Sequence, residues 1–245
     1  MLAVGVWLFV LGACDLLRAA RDITTPRRRL LIIAIGVTLL VFLGVASGLE
    51  GTEWVGLGLG WVGTFLVWML ASSVALERGT GIARGLAFAG LFGGIALTVL
   101  GGGVLDQSRE LPSWLGGSLL DQLPPDYLVL LLGVSVFQLS SANVLVRLVL
   151  DAAGVPATTN EKKLKGGRLL GPMERLFILG LGLAGELTAA AIVVAAKGLL
   201  RFPELQRGDD SGGPSDVTEY FLIGSMASWL VALGGLGLAW VGAVQ

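Results

Sequence analysis

The sequence predicts an all-α integral membrane protein, a bundle of about seven transmembrane helices with N-terminus and C-terminus both outside. Three observations carry that expectation. Apolar runs of about twenty residues recur along the chain, each long enough to cross a hydrocarbon core of roughly 30 Å as helix. Hydrophobic residues make up 54% of the chain and charged ones 14%, against roughly 25% charged in a soluble domain. Lysine and arginine gather in alternate loops, as the positive-inside rule requires.

The expected spans cover residues 2–18, 30–49, 54–76, 84–105, 127–147, 174–200 and 219–243. The first is short and ends at Asp15 and Arg18, so it should lean on its neighbours. Its "LGAC", ending at Cys14, resembles a lipobox. Yet the basic residues follow the apolar run instead of preceding it, so a retained span is expected rather than a lipidated terminus. Pro26 separates the first two spans, because the residue before a proline avoids helix. "LPPDY" opens the fifth span and "RFPEL" closes the sixth.

Orientation follows from the loops. One set carries Arg18, Arg21, Arg27, Arg28, Arg29, Arg78, Arg84, Arg147, Lys162, Lys163, Lys165, Arg168 and Arg175. The other carries Arg109, Lys197, Arg201 and Arg207, together with acidic residues such as Asp209 and Asp210. The first set is expected inside and the second outside. Trp54, Trp114, Tyr127 and Tyr220 suit the outer interface, where amphipathic rings accumulate. The chain reads as one polytopic domain over 1–245, with a four-helix part over 1–126 and a three-helix module over 127–245. Glycine, 38 of 245 residues, has no collagen period and suits close helix packing; Gly90 and Gly94 stand in GxxxG spacing.

Several function classes are excluded. A net charge of −1 offers no footprint for nucleic acid, and there is no histidine. The commonest metal ligand and general base is therefore absent. With Cys14 alone, an intramolecular disulfide or thiolate cluster cannot form. No cofactor is expected.

The stretch "GELTAAAIVVAAKG" raises the main question about chemistry. In a continuous helix Arg175, Glu186 and Lys197 stand eleven residues apart, so they drift about 20° per step and form one stripe. Glu186 would then lie near the bilayer midplane, facing the bundle interior, where an ionisable residue is expensive and commonly paired or functional. Gln138, Ser141, Ser225 and Ser228 fall at a comparable depth and complete an expected polar column. At the outer surface Glu219 should pair with Lys197 or Arg201. At the inner surface Asp15 and Arg18 could face Glu174 and Arg175, with Asn143, Arg147 and Arg168 nearby. Two roles for Glu186 stay open: a hydrogen-bonded structural group that fixes helix register, or a site that exchanges a proton or binds a cation. The basic loop Lys162–Arg168 can rest on anionic lipid headgroups, at about 1 kcal/mol per basic residue.

"NVLVRLVL", "LKGGRLLGPMERL", "AAKGLLRFPEL" and "EYFLIGSMASW" together resemble an uncharacterised bacterial group, the membrane proteins with domain of unknown function 3307. The likeness covers about residues 138–233. It implies a shared membrane module of the bacterial cytoplasmic (inner) membrane, and that Gly167, Arg168, Glu174, Arg175, Lys197, Arg201, Glu219 and Tyr220 belong to one unit. The group has no established activity. Its members begin with a helix containing His and Asp; this chain has no histidine, so no role of that segment carries over.

Three functional readings follow. The first is a non-catalytic membrane module or complex subunit, embedded in lipid and associating with itself or another chain. The second is a small-solute or ion transporter using Glu186 as its proton or cation site. The third, an intramembrane enzyme acting on lipid, lacks the clustered carboxylates that would hold a metal. The basic-loop pattern makes one direct prediction. A cysteine introduced at Lys163 is expected to react with an impermeant thiol reagent only from the cytoplasmic side; reaction from outside would invert the orientation.

Overall fold

Almost every side chain from Ala3 to Asp15 is buried, and that decides the place of the first helix, α1 (Leu2–Ala19). A helix that is apolar all round has to be surrounded. In the computed structural model, which describes residues 1–19, 25–46, 52–101, 123–155, 167–206 and 216–244, four helices enclose it. They are α2 (Pro26–Ala46), α3 (Thr52–Arg78), α4 (Gly81–Gly101) and α5 (Pro125–Leu139). With α1 they form one compact unit, residues 1–141 joined by 241–245; residues 142–240 form a second.

Each neighbour meets a different side of α1. The Cys14 thiol lies 3.8 Å from the Ile32 carbonyl of α2. The Trp7 indole donates to the Trp61 carbonyl of α3 at 3.4 Å, and its ring covers Gly94 of α4. Against α5 the backbones nearly touch: a Cβ added at Gly5 would lie 2.6 Å from the Leu130 nitrogen, and one at Gly12 2.9 Å from that of Phe137. Only glycine permits that approach.

These contacts also give directions. Trp7 meets Trp61 and Asp15 meets Trp68, so α1 and α3 run parallel. Gly5 meets Leu130 and Gly12 meets Phe137, so α1 and α5 do as well. By contrast α3 and α4 are antiparallel, because Gly101 meets Leu57, Gly60 meets Leu97 and Gly90 meets Trp68. Gly79 turns the chain between them at φ 65°, its N–H donating to the Ala75 carbonyl at 2.8 Å. Direction thus alternates along the first five helices, as successive crossings of one bilayer demand.

The second unit, residues 142–240, takes in α6 (Ser141–Ala152) after its first residue, α7 (Gly167–Leu183), α8 (Leu187–Gln206) and α9 (Asp216–Val244) as far as Trp240. Arg175 meets Ser228 and Gly182 packs on Leu236, so α7 and α9 run parallel. Ala190 of α8 shares an apolar cluster with Ile178 and Ala232, flanked by Leu181, Val194 and Trp229. A straight helix would hold Ile178 and Ala190 about 18 Å apart. The chain therefore folds back between Leu183 and Leu187, and α7–α8 is a helical hairpin.

The fold agrees with the sequence in class. All the described elements are helices. Four are long and apolar enough to cross a membrane, or five if α5 and α6 count as one broken span. Leu31, Ile35, Phe42 and Val45 on α2, and Leu222, Met226, Leu230 and Leu233 on α9, are large, apolar and exposed. Each set recurs at helical spacing, the pattern of a lipid-facing stripe.

Some expectations differ from the structure. The fifth span is not continuous: its helix stops at Leu139 and restarts at Ser141, with Ser140 at φ −128°, ψ −70°. The single sixth span over 174–200 is instead the α7–α8 hairpin. The last turn of α9 returns to the end of the first unit that holds Met1 and Tyr127, since Gly242 lies beside both. The two compact units also divide at 141/142, because α5 packs on α1; the sequence suggested a boundary at 126/127.

Close backbone contact makes a clear prediction. A Cβ at Gly133 would run into the Gly5 carbonyl, whereas Gly63 has nothing within 4 Å. Gly133→Ala should lower stability by about 1–3 kcal/mol, read by thermal unfolding in detergent. Gly63→Ala should be neutral or stabilising by up to about 1 kcal/mol, because alanine is the better helix former.

Candidate functional site

Charge placed inside a helical bundle has to be answered by the bundle. Asp15 is 1% exposed. One carboxylate oxygen accepts from Arg18 Nη2 at 2.7 Å, one turn along α1, and the other accepts from the Trp68 indole at 3.0 Å. Arg18 Nη1 donates to Ser72 Oγ at 2.9 Å and Ser73 Oγ at 2.8 Å. Asp15 and Arg18 therefore turn to α3, not to the Glu174 and Arg175 anticipated for them. The sequence reading missed Trp68, Ser72 and Ser73. The available signal was spacing: Trp68 and Ser72 share one face of α3 at i, i+4, and Asp15 and Arg18 share one face of α1 at i, i+3.

The second unit has its own buried cation. Arg175, 1% exposed, projects from α7. Its Nη1 donates to Ser228 Oγ of α9 at 2.9 Å and its Nη2 to Asn143 Oδ1 of α6 at 2.5 Å. A Cβ at Gly171 would stand 3.4 Å from Nη1, so the glycine one turn earlier leaves the guanidinium its space. The expected grouping of Asn143 with Arg175 holds. Ser228, placed in the column around Glu186, joins Arg175 instead. Glu174 and Arg147 are half-buried nearby in sequence, on α7 and α6.

Gln138, Ser140 and Ser141 cluster where the fifth span breaks, and all three are buried. The Ser140 hydroxyl lies 2.6 Å from the Gly12 carbonyl of α1 and 2.9 Å from the Val136 carbonyl. Its backbone N–H donates to Phe137 O at 3.3 Å. Ser140 was not among the expected site residues, although it fastens the break to α1. The Ser141 hydroxyl has no hydrogen-bond partner among the described residues.

Glu186 is where the structure departs furthest from expectation. Helix α7 ends in a Schellman motif: Glu186 N donates to Leu181 O at 2.8 Å, Gly185 N to Gly182 O at 3.2 Å, and Gly185 adopts φ 81°. The Glu186 carbonyl then accepts from Ala190 N at 3.2 Å and opens α8. Glu186 thus sits at the hairpin tip, and it is exposed. Its exposed neighbours along the chain are Leu183, Ala184, Gly185, Leu187 and Thr188. The interior placement and the Arg175–Glu186–Lys197 stripe do not hold, because both needed a continuous helix.

Glu219 is exposed on α9. The Lys197 and Arg201 side chains anticipated as its partners lie outside the described residues, as do the Arg168 side chain and the loop from Lys162. Among the described residues, no three His, Cys, Asp or Glu side chains converge as metal ligands.

The Asp15 network can be tested directly. Asp15→Asn leaves Arg18 without its counter-charge and should cost about 3–5 kcal/mol, as removing one partner of a buried pair does. Trp68→Phe removes one hydrogen bond to the carboxylate and should cost about 1–3 kcal/mol. Thermal unfolding of the single and double variants measures the coupling. Additive losses from Asp15→Asn and Arg18→Gln would show that the two side chains do not act together.

No family model, curated protein or solved structure matches this chain.

Proposed function

We propose that the protein is a non-catalytic membrane module, a subunit of the bacterial cytoplasmic membrane. It crosses the bilayer six times and lays the α7–α8 hairpin part-way into it, with both termini outside. The observation that carries this reading is the exposure of Glu186 among exposed apolar side chains. The buried charges Asp15 and Arg175 have partners within the chain; Glu186 is exposed, with exposed Leu183 and Leu187 beside it along the chain. A charged side chain facing hydrocarbon costs about 2.5–3.5 kcal/mol on insertion scales. A partner protein that covers the tip and donates a hydrogen bond to the carboxylate removes that cost. A water-filled transport path would instead be expected to have a polar lining around the acid.

Lengths support the re-entrant hairpin. The apolar part of α8 runs from Leu187 to Ala196, which as helix is about 15 Å, half the hydrocarbon thickness. Charge supports it too. If α8 returns to the side from which α7 starts, Lys197, Arg201 and Arg207 join the inner set. Arg109 is then the one basic residue left outside, a cleaner positive-inside pattern than seven passes provide.

Two cysteine sites in a Cys14→Ala background test the reading. A cysteine at Asp210 should label from the cytoplasmic side, reversing the expectation from sequence alone; labelling from outside would remove the hairpin. A cysteine at Glu186 should resist an impermeant reagent in native membranes. Rapid labelling there from aqueous solution would favour the transporter, with Glu186 as its ion site.

A further inference from the structure

Among the described residues, one end of the first unit carries more arginines than carboxylates. Thr25 caps α2 there, its Oγ1 accepting from Arg28 N at 3.4 Å, and Arg27, Arg28 and Arg29 occupy the first turn. Unpaired N–H groups make the start of a helix a positive pole that favours acids, so three arginines there oppose both the pole and one another. The fold nevertheless holds them in place. Arg28 Nη2 donates to the Leu17 carbonyl at the end of α1, 2.8 Å away. Arg29 pairs with Glu77 in the last turn of α3, and Arg78 follows, exposed. Asp15 and Glu77 are the carboxylates described at this end, and each already holds an arginine. Arg27, Arg28 and Arg78 remain in excess.

Immediately below this basic end lies apolar surface. Leu30 is 67% exposed and Leu31 61%, and Ile35 continues the exposed face one turn further. Guanidinium forks match the paired oxygens of a phosphate, and basic residues flanking an apolar helix are the usual signature of anionic lipid. We propose that this end of α2 and α3 binds an anionic phospholipid. Arg27, Arg28 and Arg78 hold its headgroup phosphate, and its acyl chains run past Leu30, Leu31 and Ile35. This site is separate from the Lys162–Arg168 loop. It rests on the reading of the chain as a membrane protein with this end at the headgroup level.

The test uses the full chain reconstituted into vesicles of phosphatidylcholine with increasing phosphatidylglycerol, followed by native mass spectrometry of lipid retained on extraction. Wild type should retain phosphatidylglycerol over phosphatidylcholine, less so as salt is raised. Arg27→Gln with Arg78→Gln should cut that preference about thirtyfold, from roughly 1 kcal/mol per basic residue. Both residues are exposed, so the double variant should still fold. Arg27→Lys with Arg78→Lys should keep most of the preference. Equal retention of the two lipids by wild type, or an undiminished preference in the glutamine variant, would overturn the proposal. Competition by millimolar inorganic phosphate as effective as by the lipid would overturn it in favour of a free-anion site. Failure of the protein to insert into vesicles at all would instead remove the membrane reading beneath it.

Discussion

A carboxylate buried near the end of the first helix constrains the whole N-terminal unit. An unpaired charge in that position would cost several kcal/mol, so Asp15 has to keep both Arg18 and the Trp68 indole. Sliding α1 along α3 by one turn would take Asp15 off the Trp68 indole and strip Arg18 from Ser72 and Ser73. With that register set, Trp7 falls between Trp61 and Gly94. The face carrying Gly5 and Gly12 is then left for α5, which approaches until backbone meets backbone. Polar pairing sets the register, and glycine allows the close packing that follows from it.

The same demand explains how two expected spans can be interrupted. Inside hydrocarbon, a broken helix exposes N–H and C=O groups that water cannot satisfy. At Ser140 the break is satisfied from within: its N–H finds Phe137 O and its hydroxyl reaches the carbonyls of Gly12 and Val136. At Gly185 the Schellman bonds to Leu181 and Gly182 close one helix, and the Glu186 carbonyl starts the next. Several of the backbone groups at each point are thus satisfied within the chain. The Glu186 side chain at the second point is exposed.

Much of the architecture was legible in the residues. Length and hydropathy mark each apolar segment, and the helices α2, α3, α4 and α9 match expected spans closely. Asn143 and Arg175 were grouped by depth alone and do meet. The hairpin was not legible. The run from Arg175 to Lys197 is helix-compatible throughout, and the signal for its turn is Gly185, one glycine among 38. A glycine within a helical pattern is tolerated for about 1 kcal/mol, so local propensity could not separate a continuous span from a fold-back. The stripe built on Glu186 failed with that one turn, since every angle past Gly185 was counted along a helix that ends there.

By itself the sequence determined the helical, apolar class of the protein, the position of its apolar helices, and that it holds no histidine and a single cysteine. These depend on composition and on distances along the chain, which any conformation preserves. The tertiary structure decided which polar groups meet: Asp15 with Trp68, Arg175 with Ser228, Ser140 with Gly12. It also decided that Glu186 lies on the surface. Those outcomes depend on helix rotation and register, which many weak packing contacts set together. No single residue carries that information, and it exists only once the helices have packed.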